Sequence, residues 1–97
     1  MKKDLLNILA CPMDKHHPLK LIIFKERKKQ YGDESWDEVV YGILICEKCM
    51  RWYPIDDEIP IMLPDDLREK EKDITFLRKW KEKIPERVLE EGQPHHL

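Results

Sequence analysis

Ninety-seven residues make one small domain, and a net charge of −2 excludes a chain that binds nucleic acid on its own through a basic excess. Charged residues are 39% and hydrophobic ones 41%, so the chain reads as globular with a wet surface and a marginal core that a metal or a partner would support. The three cysteines are too few and odd in number for a disulfide framework, which points to a reducing cytoplasm. The opening "MKKDLLNILACP" has an apolar stretch too short for a signal peptide or membrane span and broken by Asp4 and Asn7, so a cytoplasmic chain away from the membrane is expected.

Lys3 to Ala10 reads as a short helix with Leu5, Leu6, Ile8 and Leu9 apolar, ended by Cys11-Pro12. Leu19 to Lys25 reads as a strand. The polar run "ERKKQYGDESWDE" (residues 26–38) is an insertion, either a hairpin loop or a short helix, with Trp36 laid over the sheet. Val39 to Cys46 is a second strand, antiparallel to the first. A third begins with "RWYPI", where Pro54 implies a sheet edge or a stop, because proline cannot donate to a ladder. Asp56 to Glu58 turn, and Ile59 to Leu63 form another short strand closed by Pro64. Beyond Asp65, Ile74, Leu77, Trp80 and Ile84 recur at helical spacing as one apolar stripe. Pro85 opens a last segment that Gly92 stops, leaving His95 and His96 in a disordered tail. The fold class is α+β: an N-terminal helix, a small antiparallel sheet (1–64), and a charged helical arm (65–97) of the same domain.

Cys46 and Cys49 form a C-x-x-C, and Cys11 opens a C-P-x-D that ends at Asp14. Zinc takes four ligands from thiolate, imidazole or carboxylate groups. The set is therefore Cys11, Cys46 and Cys49, with Asp14 or a histidine, His16 or His17, as the fourth. Two other readings stand beside it. The thiols can pack as small hydrophobes, or Cys46 and Cys49 can be a redox pair, although the βαβ context of thioredoxin-like sites is missing. With three glycines and no G-x-S-x-G or Ser/His/Asp set, the chain reads as a binding or accessory protein.

The run from Trp52 to Leu63 is very apolar for so charged a chain. Alternation puts Ile59, Ile61 and Leu63 on one face, with Pro60 and Met62 on the other. Either the C-terminal arm covers the second face or a partner docks there. Pro54 and Pro60 mark edge strands, and an open edge can accept a partner's strand.

Two blocks, "LLNILACPMDK" and "GILICEKCMRWYPIDDEIPIMLP", resemble the multifunctional methyltransferase subunit family, with a length closer to archaeal members than to short bacterial ones. The resemblance implies a zinc-ribbon-like, non-catalytic activator. Such a subunit pairs as a heterodimer with Rossmann-like methyltransferases acting on tRNA, ribosomal RNA or release factors, in several alternative complexes. It covers an apolar surface on the partner and extends its sheet. S-adenosylmethionine stays on the partner, and RNA is met only through the complex. By position, Cys11, Cys46 and Cys49 match metal ligands, and Asp14 stands where C-P-x-C members have cysteine, with His16 as its rival. Arg51, Tyr53, Pro54, Ile55, Ile59, Pro60, Ile61, Met62 and Leu63 match the partner-facing strand region, with Leu6 and Leu9 adding to the patch. The alternative is an autonomous zinc-ribbon-like nucleic-acid-binding module, with "KERKK" (residues 25–29) as its basic cluster.

Overall fold

The computed structural model describes residues 1–97. Four antiparallel strands lie in the order β1-β2-β3-β4: Lys20–Tyr31, Glu34–Ile45, Trp52–Asp56 and Ile59–Pro60. Two helices follow, α1 (Lys70–Lys79) and α2 (Glu86–Glu91). This is the expected α+β architecture, with several local differences.

Of the two alternatives for the polar insertion the hairpin holds and the helix does not, but the hairpin is strand rather than loop. β1 and β2 run straight through it as a long hairpin that turns at Gly32-Asp33. Gly32 supplies the positive φ (60°) that a two-residue hairpin turn needs at its first position. Opposite charges face each other across the strands, Arg27 with Glu38 and Lys28 with Asp37, so cross-strand pairing takes the place of a hydrophobic signal. Trp36 lies on β2, with the Lys2 ammonium 4.5 Å from its ring centre.

Side chains alternate across the sheet and build two cores. Leu44, Cys46, Tyr53 and Ile55 point one way and pack with Met1, Cys11, Leu19 and Val39. Ile43, Ile45 and Trp52 point the other way and pack with Phe24, Leu77, Ile84, Val88 and Leu89. The arm therefore covers the second face. Its apolar stripe is divided: α1 stops at Trp80, a 3-10 turn spans Lys81–Lys83, and α2 starts after Pro85. Ile84 is extended, as the residue before a proline tends to be, and Leu77 and Ile84 reach the same core from the two sides of the break. Stacking of Phe24 on Trp80 (5.0 Å between ring centres) and Trp52 on Phe76 (5.7 Å) adds to the packing.

Two other expectations are shortened. The N-terminal helix is one 3-10 stretch, Lys3–Asn7, and the Ile59–Leu63 strand is ordered as ladder only at Ile59–Pro60. Pro54 sits in an inner strand, paired with Ile43, but its missing N–H falls on the side facing away from β2. The tail is a clear correction. Trp52 Nε1 donates to the His95 carbonyl at 2.9 Å, and His95 Nδ1 lies 2.7 Å from Asp73 Oδ2, so these residues are docked rather than loose.

Candidate metal centre

Two loops of the same construction face each other. In the first, the Lys15 N–H donates to the Cys11 carbonyl (2.7 Å) and the Cys11 N–H to the His16 carbonyl (3.0 Å). In the second, the Met50 N–H donates to the Cys46 carbonyl (2.8 Å) and the Cys46 N–H to the Arg51 carbonyl (2.8 Å). Lys15 and Met50 both take φ near 61°. Superposing the two patterns puts Asp14 at the place of Cys49. "CPMDK" and "CEKCM" are thus two knuckles, one ending its ligand pair in a carboxylate and the other in a thiolate.

The knuckles bring one ligand atom each from Cys11, Asp14, Cys46 and Cys49 within 4.8 Å of one another, and the three cysteines are free thiols. The separations can be tested against a four-coordinate ion. Metal–sulfur bonds of about 2.3 Å on a tetrahedron give sulfurs about 3.8 Å apart, and a sulfur–oxygen edge of about 3.6 Å. Cys11 Sγ and Cys49 Sγ are 3.8 Å apart, and Cys46 Sγ is 3.4 and 3.6 Å from the two Asp14 oxygens. The four residues fit a metal ion. His16, the rival fourth ligand, lies outside the group; it donates its backbone N–H to Asp14 Oδ1 at 2.9 Å and so aims the carboxylate. His17 is exposed and also outside the group.

The surroundings favour negative charge on one side of the group and resist it on the other. The His16 N–H, with smaller help from the thiols, holds the Asp14 carboxyl well below the usual carboxylate range. Burial pushes the Cys46 thiol up to about 12. Tyr53 is fully buried with its hydroxyl 3.1 Å from Cys11 Sγ, and burial, then that contact, raises its own pKa. A thiolate at Cys11 would accept from this hydroxyl, a partner that orients a ligand from behind. Arg51 sits next to the second knuckle and pairs bidentately with Asp65 at 2.8 and 2.6 Å. That pair ties the segment after Pro64 to the knuckle and raises the Arg51 pKa further.

The partner-facing residues expected from the sequence fall into separate places. Tyr53, Pro54 and Ile55 are buried within the chain, and Arg51 is engaged by Asp65. Leu6, Leu9 and Met62 are half-buried against the metal-side core, together with Leu21 and Ile23. Ile61 and Leu63 line a groove with Phe76 and Trp80 instead. Ile59 and Pro60 form β4, and Ile59 is 63% exposed. Ile8, beside Leu9, is 77% exposed.

Sequence reasoning missed Arg68 and Asp73. Both are buried, with Arg68 Nη2 2.9 Å from Asp73 Oδ1 and Nη1 donating to the Trp52 carbonyl at 2.6 Å. Nothing in "DDLREKEKD" separates them from the solvated charges around them.

A family model described as Trm112p-like protein matches residues 2–58, which hold both knuckles and β1 to β3. The chain belongs to the Trm112p-like family. It is also similar to a "UPF0434 protein" from Nitrosococcus oceani, 36% identical over 69 residues that cover 71% of this chain and 88% of the relative. The family assignment agrees with the resemblance carried by the two sequence blocks. The arm beyond residue 58 that covers the second face lies outside the matched residues of this Trm112p-like chain.

Proposed function

We propose that this Trm112p-like chain is a non-catalytic subunit that docks on Rossmann-like, S-adenosylmethionine-dependent methyltransferases of the translation apparatus and keeps them folded. The observation that carries the reading is the unequal finish of the two sheet faces. One face is closed by α1 and α2. Both faces keep a rim of half-buried apolar side chains, but the other has as helical cover only the 3-10 stretch Lys3–Asn7, and there Leu5, Ile8 and Met13 stand exposed beside the half-buried Leu6 and Leu9. Continuing that core into a second protein would remove this surface from water at about 25 cal/mol per Å² and stabilise both partners by mass action. Family membership supports the same reading.

Zinc is the ion that suits the four donors, because three thiolates and a carboxylate in a tetrahedron match its ligand preferences. It would brace the two knuckles, and so hold Tyr53 and the 3-10 stretch on the open face. No chemistry of substrates is assigned to it. Tested without chelators during purification, the protein should carry about one equivalent of zinc; less than about a tenth of an equivalent would remove the metal from this reading.

The docking role is tested by affinity purification from native extract, with mass spectrometry of what is retained. Methyltransferases at near-equal amounts are the expected result, with loss of retention in Ile8→Asp. Recovery of RNA in place of protein would overturn the docking role and favour a nucleic-acid-binding module.

A further inference from the structure

The outer edge of β3 should be an open sheet edge, because β4 pairs only with Ile55 and Asp56. Short of the β4 pairing at Asp56, the backbone groups of β3 and its approach that face away from β2 are Met50 O, Trp52 N, Trp52 O and Pro54 O. Every one of them is taken, and by this chain. Ile61 N donates to Pro54 O at 2.9 Å, and Arg68 Nη1 donates to Trp52 O at 2.6 Å. The other two go to a single residue: Gln93 N donates to Met50 O at 2.9 Å, and Trp52 N donates to Gln93 O at 3.3 Å. Arg51 and Gln93 thereby form a parallel β-bridge. The segment after α2 is a one-residue parallel strand added to the sheet from within.

That segment is held by hydrogen bonds rather than by buried side chains: beyond the Gln93 pair, Leu97 N donates to Leu89 O at 2.9 Å and His96 Nδ1 lies 3.1 Å from Gly92 O. No side chain from Gln93 to Leu97 is buried. A segment with little buried apolar surface opens at a small fraction of the global unfolding free energy. Its side-chain latch is His95, whose Nδ1 meets Asp73 Oδ2 at 2.7 Å while its carbonyl accepts from Trp52 Nε1 at 2.9 Å. The other oxygen of Asp73 serves Arg68. Asp73 thus has one oxygen for the core and one for the tail, and losing His95 leaves the buried Arg68–Asp73 pair intact.

We infer that Gln93–Leu97 is a reversible cap on the outer edge of β3, latched by His95 on Asp73, which occupies the two backbone groups that an incoming parallel strand would need. The strand-addition consequence rests on the docking role above. The cap itself does not, because it is a property of the isolated chain and is tested with no partner present.

The test is amide hydrogen exchange by NMR on the full chain, comparing Trp52 N–H, which faces the cap, with Tyr53 N–H, which faces β2. Two variants loosen the cap by different routes. His95→Ala removes the latch ring, and Gln93→Pro removes the N–H given to Met50 O from a residue whose side chain is exposed. Each should speed exchange at Trp52 by about tenfold, the scale of one charge-assisted hydrogen bond. Tyr53 should be unchanged, and the Trp52 indole resonance should move toward its solvent-exposed position. Unchanged Trp52 exchange in both variants would overturn the cap. Equal acceleration at Trp52 and Tyr53 would also overturn it, since the tail would then open only with the whole fold.

Discussion

On one side of the sheet, Leu77, Ile84, Val88 and Leu89 close over Trp52, and stability comes from apolar burial. On the other, Cys11, Asp14, Cys46 and Cys49 converge beside Tyr53, and a 3-10 stretch with exposed Ile8 stands where helices would otherwise lie. The same strands serve both sides, since alternation sends Ile43 and Ile45 to one and Leu44 and Cys46 to the other. A small domain can finish one face with its own chain and brace the other with bonds to a few donors. On the proposed function, a metal would brace that second face and another molecule would complete it.

Four substitutions break or sharpen this contrast. The largest loss is expected on the helix-covered face. Leu77 is wholly buried, and Leu77→Ala should cost about 3 kcal/mol in urea unfolding. Next comes the braced face, where Cys46→Ser should abolish stoichiometric zinc and lower stability by about 2 kcal/mol, with chelator no longer changing the melting temperature. If chelator destabilises the wild type and the variant alike, the brace is misplaced.

Between the faces lies the Arg51–Asp65 pair, partly exposed, with side chains 23% and 33% accessible. Asp65→Asn should cost under about 1 kcal/mol at neutral pH. The sign follows from Arg51 holding the Asp65 carboxyl below its ordinary value of 3.8. A depressed carboxylate contributes its stability above the unfolded value and loses it as pH falls through the folded one. The difference between wild type and Asp65→Asn should therefore be constant above pH 5 and shrink on acidification below about pH 4, measured by thermal melts across pH. A difference that grows in acid would mean that the pair is not the cause. The smallest effect on stability is expected at Ile8, where Ile8→Asp should stay within about 0.5 kcal/mol of wild type while partner retention falls. Equal retention would remove the open face from the docking role.

Much of the metal-side face was legible. Cys46-x-x-Cys49 and Cys11-x-x-Asp14 each carry a ligand pair at local spacing, and a knuckle is a local structure, so its residues announce it. Asp14 is the first choice for the fourth ligand from its place in C-P-x-D, and the fold sets its rival His16 outside the group. The apolar stripe of Ile74, Leu77, Trp80 and Ile84 correctly marked a helical arm, and its break at Trp80 did not show, because Ile84 keeps the helical spacing although the helix stops before it. The long hairpin was hidden for the opposite reason. Its strands set opposite charges at opposed positions across the ribbon, and these have no periodicity that one strand alone displays.

What short-range chemistry dictates was present in the chain as written: the alternation of the strands and the two ligand pairs. Long-range placement settled the rest. Arg68, Asp73 and His95 look like solvent-facing residues in an acidic and basic run, and they became a buried pair and a latch only because folding set Trp52 beside them. A charge's environment is a property of everything that surrounds it, and no neighbour in sequence records what will arrive from 16 or 22 residues away.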